Sequence, residues 1–333
     1  LAKPTGELIM LKINIEKQSY PIRGEFRISR GSKTEAEVIL CQIEQGETIG
    51  RGECVPYNRY NEDRDSVFAQ IEAIKSGEID EIEEQITQLK PGAARNALDC
   101  AIWDWKAKST GKPVADQICK MAPRPVETAF TLSLDTPGRM ADAARAASHR
   151  TVIKIKLGGD NDIACMHAVT ANAPNSRIII DANEAWTSDI FAQMMREASR
   201  LKIALIEQPL PAGDDDILLD IPHPVPICAD ESIHTSEELG NLRGKYDFVN
   251  IKLDKTGGLT EALKLRDQAR ELGFGIMVGC MVGSSLAMAP AVLLAQDAEF
   301  VDLDGPLLLA KDRSPALNYF GSTVSPPTPS LWG

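Results

Sequence analysis

Apolar and polar positions run along the chain with two different grains. From Ile9 to about Cys54, β-rich runs dominate: IMLKINI, AEVILCQIE and TIGRGEC, the last two separated by QGE, a short hairpin signal. Helical periodicity follows in DRDSVFAQIEAIKSG, DEIEEQITQL and GAARNALDCAIWDWKAKSTG. Strands followed by helices predict an α+β unit at the start of the chain.

From Ala129 the texture becomes regular. Eight apolar runs appear: AFTLSL, VIKIKL, RIIIDAN, IALIEQP, VPICADES, FVNIKLD, GIMVGCM and FVDLDGP. Helix-like segments separate them. Thr136-Pro137 opens one, Thr187 caps the next, and Thr235-Ser236-Glu237-Glu238 reads as a capping box. GLTEALKLRDQARELG ends on Gly273, a natural residue to stop a helix. Polar residues end the central strands at 156, 181, 207, 230, 252 and 302, spaced by 22 to 26 residues until a last gap of 50. That gap holds two units, with GIMVGCM as the strand between them. Eight βα units of ~25–30 residues predict an α/β fold, a TIM-like (β/α) barrel. A doubly wound sheet is the alternative, but no GxGxxG or P-loop follows a strand. The expected division is an N-terminal α+β capping domain at 1–122, the barrel at 123–314, and a C-terminal segment at 315–333 packing back on the cap.

Charge and cysteine usage narrow the partners. Of 333 residues, 36 are basic and 48 acidic, a net charge of -12 without a basic stripe, so nucleic acid is not an expected partner. No apolar run is long enough to span a bilayer, so no membrane partner is expected. The seven cysteines are scattered without a CxxC pair and read as free thiols in a reducing compartment, which gives a cytoplasmic expectation.

The chemistry is expected at the C-terminal ends of the barrel strands. In order, those ends carry Thr131, Lys154 with Lys156, Asp181, Glu207, Asp230, Lys252, Cys280, and Asp302 with Asp304. Asp181, Glu207 and Asp230 come from consecutive strands, so they converge. Three crowded carboxylates call for a hard divalent cation, Mg²⁺ first. The second and sixth strands are opposed in a ring of eight, which sets Lys156 against Lys252. That suits a two-base exchange of a carbon-bound proton, the cation stabilising the negative charge that develops on substrate oxygens. Lys154 shares a face with Lys156 by the period of two, and each like charge, together with burial, depresses the other's pKa. The four histidines end no strand and read as surface or helix residues.

The motifs KIK, IIIDAN, LIEQP, ICADES and NIKLDKTGG resemble the muconate-lactonizing subgroup of the enolase superfamily, over essentially the whole chain. The resemblance implies one Mg²⁺ per subunit on Asp181, Glu207 and Asp230, with Lys156 and Lys252 as the acid/base pair. Asp302 and Asp304 resemble the Asp-x-Asp signature of dipeptide epimerases, where the pair holds the substrate's α-ammonium. FRISRGSKTEAEV resembles a mobile specificity loop of L-Ala-D/L-Glu epimerases, placing Arg30 at the glutamate side chain. Thr131 and Lys154 are implied to contact substrate, and Cys280 and Met281 to border it. Tyr57 and Arg59 are further cap candidates. The resemblance thus implies a Mg²⁺-dependent dipeptide epimerase using a metal-stabilised enediolate, in muropeptide recycling, with homo-oligomerisation open. Other subgroup reactions (N-acylamino acid racemisation, o-succinylbenzoate synthesis or cycloisomerisation) and a non-catalytic binding barrel are the alternatives.

Overall fold

The computed structural model describes residues 10–333, so Ile9, the start of the first expected strand, lies outside the described residues. Three antiparallel strands come first: β1 (Lys12–Ile28), β2 (Gly31–Gln45) and β3 (Thr48–Cys54), in that spatial order. Gly46 turns the chain between β2 and β3 at a φ of 60°, where a side chain is disfavoured. The segment that resembles a specificity loop folds as a hairpin. Beyond a register shift between Pro21 and Phe26, Phe26, Arg27 and Ile28 pair with Lys33, Ser32 and Gly31. Phe26 and Ile28 share one face by the strand period, and both line the barrel-mouth cavity, which gives the hairpin an apolar surface to bury.

Helices α1 (Arg64–Glu72), α2 (Ile79–Gln88) and α3 (Ala93–Thr110) pack on this sheet. Contact between α3 and β3 is close because β3 carries glycines. A Cβ on Gly50 would fall 2.3 Å from the Ala101 carbonyl oxygen, and one on Gly52 would fall 2.0 Å from that of Ala97.

After a short β4 (Val126–Glu127), eight parallel strands form the second unit. They are β5 (Phe130–Leu132), β6 (Val152–Lys156), β7 (Arg177–Asp181), β8 (Leu205–Glu207), β9 (Ile227–Ala229), β10 (Phe248–Ile251), β11 (Gly275–Gly279) and β12 (Phe300–Asp302). Each pairs with its sequence neighbours, and the Ala129 amide donates to the Val301 carbonyl at 2.8 Å, closing the ring. The barrel and its cap are therefore those read from the hydrophobic pattern.

The helices between strands vary more than the pattern predicts. The capping box at Thr235 forms, yet it opens only a 3₁₀ turn and the short helix Leu239–Leu242. Thr187 precedes helix Ser188–Arg200 without a side-chain cap bond. Between β8 and β9 only the 3₁₀ turn Asp216–Leu219 appears, in a stretch rich in proline and aspartate.

Strand alternation organises the core. In β6, Val152 belongs to the inner plug with Ile179, Leu205, Met277 and Phe300, while Ile153 and Ile155 face the helices. Lys154 and Lys156 therefore stand above Val152, inside the ring. Beyond the barrel, β13 (Tyr319–Phe320) and β14 (Thr323–Val324) form a small sheet with β4. The chain end returns to the cap, where Trp332 Nε1 donates to the Cys100 carbonyl at 3.0 Å and the Gly333 amide to Asp104 at 2.7 Å.

Two buried carboxyls tie cap to barrel. Glu53 on β3 accepts from the Ser284 amide at 2.8 Å and from Arg313 at 2.5 Å. Asp254 accepts from the Val55 amide at 3.0 Å and Asn96 Nδ2 at 2.8 Å, and burial pushes its carboxyl up to about 7.

Gly52→Ala is expected to destabilise the protein by about 1–3 kcal/mol or more, because the new methyl meets helix backbone. The urea midpoint reads this; an unchanged midpoint would mean that α3 withdraws freely. For Asp254 the folded pKa, about 7, lies above the unfolded value near ~3.9. Between those limits the folded state holds a proton that the unfolded chain releases, so stability falls as pH rises through this window. Asp254→Asn keeps the acceptor and removes the charge. It should raise Tm more at pH ~8 than at pH ~5, the window set by these pKa values; an equal rise at both would contradict the assignment.

Candidate active site

A cavity of about 470 Å³ lies between the cap hairpin and the barrel mouth. Thr131, Lys154, Lys156, Asp230, Lys252, Asp302 and Asp304 line it from the strand ends, with Cys280 and Met281 from the loop after β11. Arg30, Tyr57 and Arg59 line it from the cap. Asp181 and Glu207 end β7 and β8 and are completely buried beneath it.

The carboxylates and lysines interlock. Lys154 Nζ lies 2.5 Å from Glu207, 2.7 Å from Asp302 and 3.0 Å from Asp181. Lys156 reaches Asp181 at 2.6 Å, and Lys252 reaches Asp230 at 2.6 Å and Glu207 at 3.6 Å. At the seam where the ring closes, the Thr131 amide donates to Asp304 at 2.6 Å and its hydroxyl to Asp302 at 3.4 Å.

These pairings set the protonation states. Burial alone raises Asp181, but Lys154 and Lys156 outweigh it and hold the carboxyl below the usual range. Asp230 is held low in the same way by Lys252 and Lys255. Glu207 goes the other way: burial and the Asp181 charge push it up to about 7. Burial and Asp302 push Asp304 up to about 7. For Lys154, the expected depression is reversed. Burial does lower it, but Asp181, Asp302 and Glu207 together raise it well above the ordinary lysine value. Three carboxylates within 3.0 Å outweigh one neighbouring lysine.

Several members of the cluster escaped the strand-end argument. Lys255, buried one turn after Lys252, donates to Asp230 Oδ1 and to the Asp230 carbonyl, both at 2.5 Å. Asn250 Nδ2 fixes Glu207 Oε1 at 2.8 Å, and the Asn183 amide fixes Asp181 Oδ1 at 3.0 Å. Glu231, next to Asp230, is buried and bonded by Arg30 at 2.7 Å. The sequence signal was present in DAN, DES, NIK and KLDK, but adjacency along the chain does not say which neighbour turns inward. His234 also departs from the surface expectation. It packs edge-on against Tyr60 at 4.6 Å, and burial, then the Lys255 charge, pushes it down to about 4.

Among the described residues, no three carboxylate, histidine or cysteine side chains close on one point as a metal cage, and the lysine ammoniums stand between them. The donor set nevertheless fits a hard cation. Asp181, Glu207 and Asp230 supply only oxygens, and Lys154 Nζ already places positive charge between Asp181 and Glu207. Glu207 Oε2 has no hydrogen-bond partner beyond that ion pair.

Comparison with known proteins covers both units. Residues 10–119 match the mandelate racemase/muconate lactonizing enzyme N-terminal domain, and residues 139–304 match the enolase C-terminal domain-like family. An N-acetyl-D-glutamate racemase of Pseudoalteromonas sp is 47% identical over 300 residues, covering 89% of this chain and 95% of the relative. An L-Ala-D/L-Glu epimerase of Escherichia coli K12 is 42% identical over 318 residues, covering 93% and 98%. A crystal structure of an enolase family member from Agrobacterium tumefaciens, described as having homology to dipeptide epimerases and holding sodium and L-Ala-L-Glu with an ordered loop, superposes with a TM-score of 0.93. It is 52% identical and the match covers 97% of this chain and 99% of that one. With cap and barrel matched in one continuous frame, the chain belongs to the enolase superfamily, in its mandelate racemase and muconate lactonizing group.

Proposed function

We propose that this chain is an isomerase that epimerises dipeptides, with L-Ala-D/L-Glu as substrate, by passing the α-proton of the second residue between two lysines. The observation that carries this reading is the pairing of Lys156 and Lys252 on opposite walls of one cavity. They stand at the ends of strands four apart in a closed ring of eight. One Nζ takes the proton from Cα, leaving an enediolate on the substrate; the other ammonium returns a proton to the opposite face. Net composition is unchanged and configuration inverts.

Asp181, Glu207 and Asp230 would hold a Mg²⁺ ion, whose chemistry is to lower the cost of negative charge on the substrate carboxylate. Lys255, Asn250 and the Asn183 amide orient those three carboxylates through the bonds described above. Lys154 contributes a further cation beside the carboxylate end of the substrate. At the far wall, Asp302 and Asp304 supply the acceptors for an α-ammonium, with Thr131 holding Asp304 in place. The relatives' recorded substrates, N-acetyl-D-glutamate and L-Ala-D/L-Glu, share a glutamyl residue as the centre of inversion. Cell-wall peptide is the source of such a dipeptide in this reading, and the cytoplasm its site of action.

A second reading, racemisation of an N-acylated glutamate, is favoured by the 47% identity to the N-acetyl-D-glutamate racemase. Against it stand two buried carboxyls where an acyl group offers no cation.

In D₂O with Mg²⁺, wild type should place deuterium at the glutamyl α-carbon of both L-Ala-L-Glu and L-Ala-D-Glu. Lys156→Ala and Lys252→Ala should each abolish epimerisation while retaining α-proton exchange from only one, opposite, epimer. Symmetric loss or retention in both variants, followed by NMR, would refute the two-lysine scheme. Asp304→Asn should lower kcat/KM for L-Ala-L-Glu by at least about tenfold, the worth of one charged hydrogen bond, and that for N-acetyl-glutamate much less. The reverse order would establish the racemase reading.

A further inference from the structure

Six cationic side chains line the cavity: Arg30, Lys33, Arg59, Lys154, Lys156 and Lys252. Five are already paired. The three barrel lysines have the carboxylates described above. Arg59 forms two bonds of 2.8 Å to Glu184. Arg30 bonds Glu231 at 2.7 Å, the Asn183 carbonyl at 2.9 Å, and both Glu184 and the Tyr57 hydroxyl at 3.1 Å. Four of the guanidinium's donor contacts are thus occupied, and its charge is balanced by two acids.

Lys33 is different. Among the described residues it makes no ion pair, and its ammonium rests 5.4 Å above the Tyr57 ring. Its acidic neighbours have other partners: Glu37 pairs with Arg64 at 3.1 Å and Glu35 accepts from Ser19 at 2.7 Å. Lys33 sits directly opposite Phe26 in the hairpin register, so the two share a face. The Phe26 ring in turn lies 6.0 Å from the ammonium of Lys156. Lys33 therefore lines the cavity from the hairpin, on the same face as Phe26. Lys33 lies exposed on the rim of the cavity, and partial desolvation, opposed by Glu37, holds its ammonium below the usual lysine value.

We infer that Lys33, the unpaired cation of the cavity, binds the side-chain carboxylate of the glutamyl residue, while Arg30 clamps the hairpin to the barrel. This assignment rests on the glutamyl substrate proposed above but is common to the dipeptide and the N-acyl reading. It moves substrate-side-chain recognition from Arg30, where family resemblance puts it, to the residue three positions on.

The test compares Lys33→Met and Lys33→Arg on L-Ala-L-Glu and on its neutral isostere L-Ala-L-Gln, by α-proton exchange. Lys33→Met should raise KM for L-Ala-L-Glu by about ten- to a hundredfold with kcat within a few-fold, as expected for one charged hydrogen bond. The rise for L-Ala-L-Gln should be at least about tenfold smaller on the same ground, and Lys33→Arg should recover most of the affinity. Equal losses on both dipeptides, or no change on L-Ala-L-Glu, would overturn the assignment. If wild type exchanges neither dipeptide nor N-acetyl-glutamate, the proposed reaction fails, yet Lys33 can still be judged by calorimetry. A wild-type preference for binding L-Ala-L-Glu over L-Ala-L-Gln that disappears in Lys33→Met supports it; no such preference refutes it.

Discussion

Everything at the barrel mouth depends on burying opposite charges together. Lys154, Lys255, Asp181 and Glu207 are all no more than 1% exposed, a placement that none of them could hold alone. Deleting one partner from such a buried pair typically costs about 3–5 kcal/mol, because the other is left without compensation. The site is therefore a single electrostatic unit rather than a set of independent catalytic groups. Its oxygens raise the proton affinity of Lys154 and Lys252, which keeps both lysines protonated and makes each a weaker acid than a free lysine in this arrangement. A cation drawn to the same oxygens weakens that hold, which links the metal-type donor set to the protonation of the lysines.

The cap repeats the principle one layer out. Glu184, three residues after Asp181, and Glu231, next to Asp230, are matched by Arg59 and Arg30 from the cap. The hairpin is thus drawn onto the barrel by ion pairs and by the apolar face of Phe26 and Ile28. Glu53 and Asp254 secure the other edge of the interface with backbone and side-chain donors. Cap and barrel share the cavity's walls, so an error in their docking would be felt directly by the reacting groups.

The barrel was legible because its signal is periodic: each strand carries an apolar run, and most end on a polar residue at a regular spacing. KIK shows both the strength and the limit of that reading. Period-two alternation correctly put Lys154 and Lys156 on one face, inside the ring with Val152. It could not show that Lys154 would be gripped by three carboxylates, since those lie 27, 53 and 148 residues further on. FRISRGSKTEAEV was hidden for a different reason. Its charges and central glycine look like a loop, and only the pairing of Phe26 with Lys33 makes it a hairpin. The short 3₁₀ turn after β8 has no repeat to announce it, and there proline and aspartate prevail over the βα rhythm.

The interlocked charges also bear on how a common scaffold separates related substrates. The lysines and carboxylates of the cluster are tied to one another, so changing any of them disturbs the whole. Lys33 and Asp304 are less constrained. Among the described residues the first forms no ion pair with a carboxylate, and the second accepts the Thr131 amide while burial and the Asp302 charge push its carboxyl up to about 7. Selectivity in the proposed reaction would be tuned at these two places, outside the cluster's ion pairs.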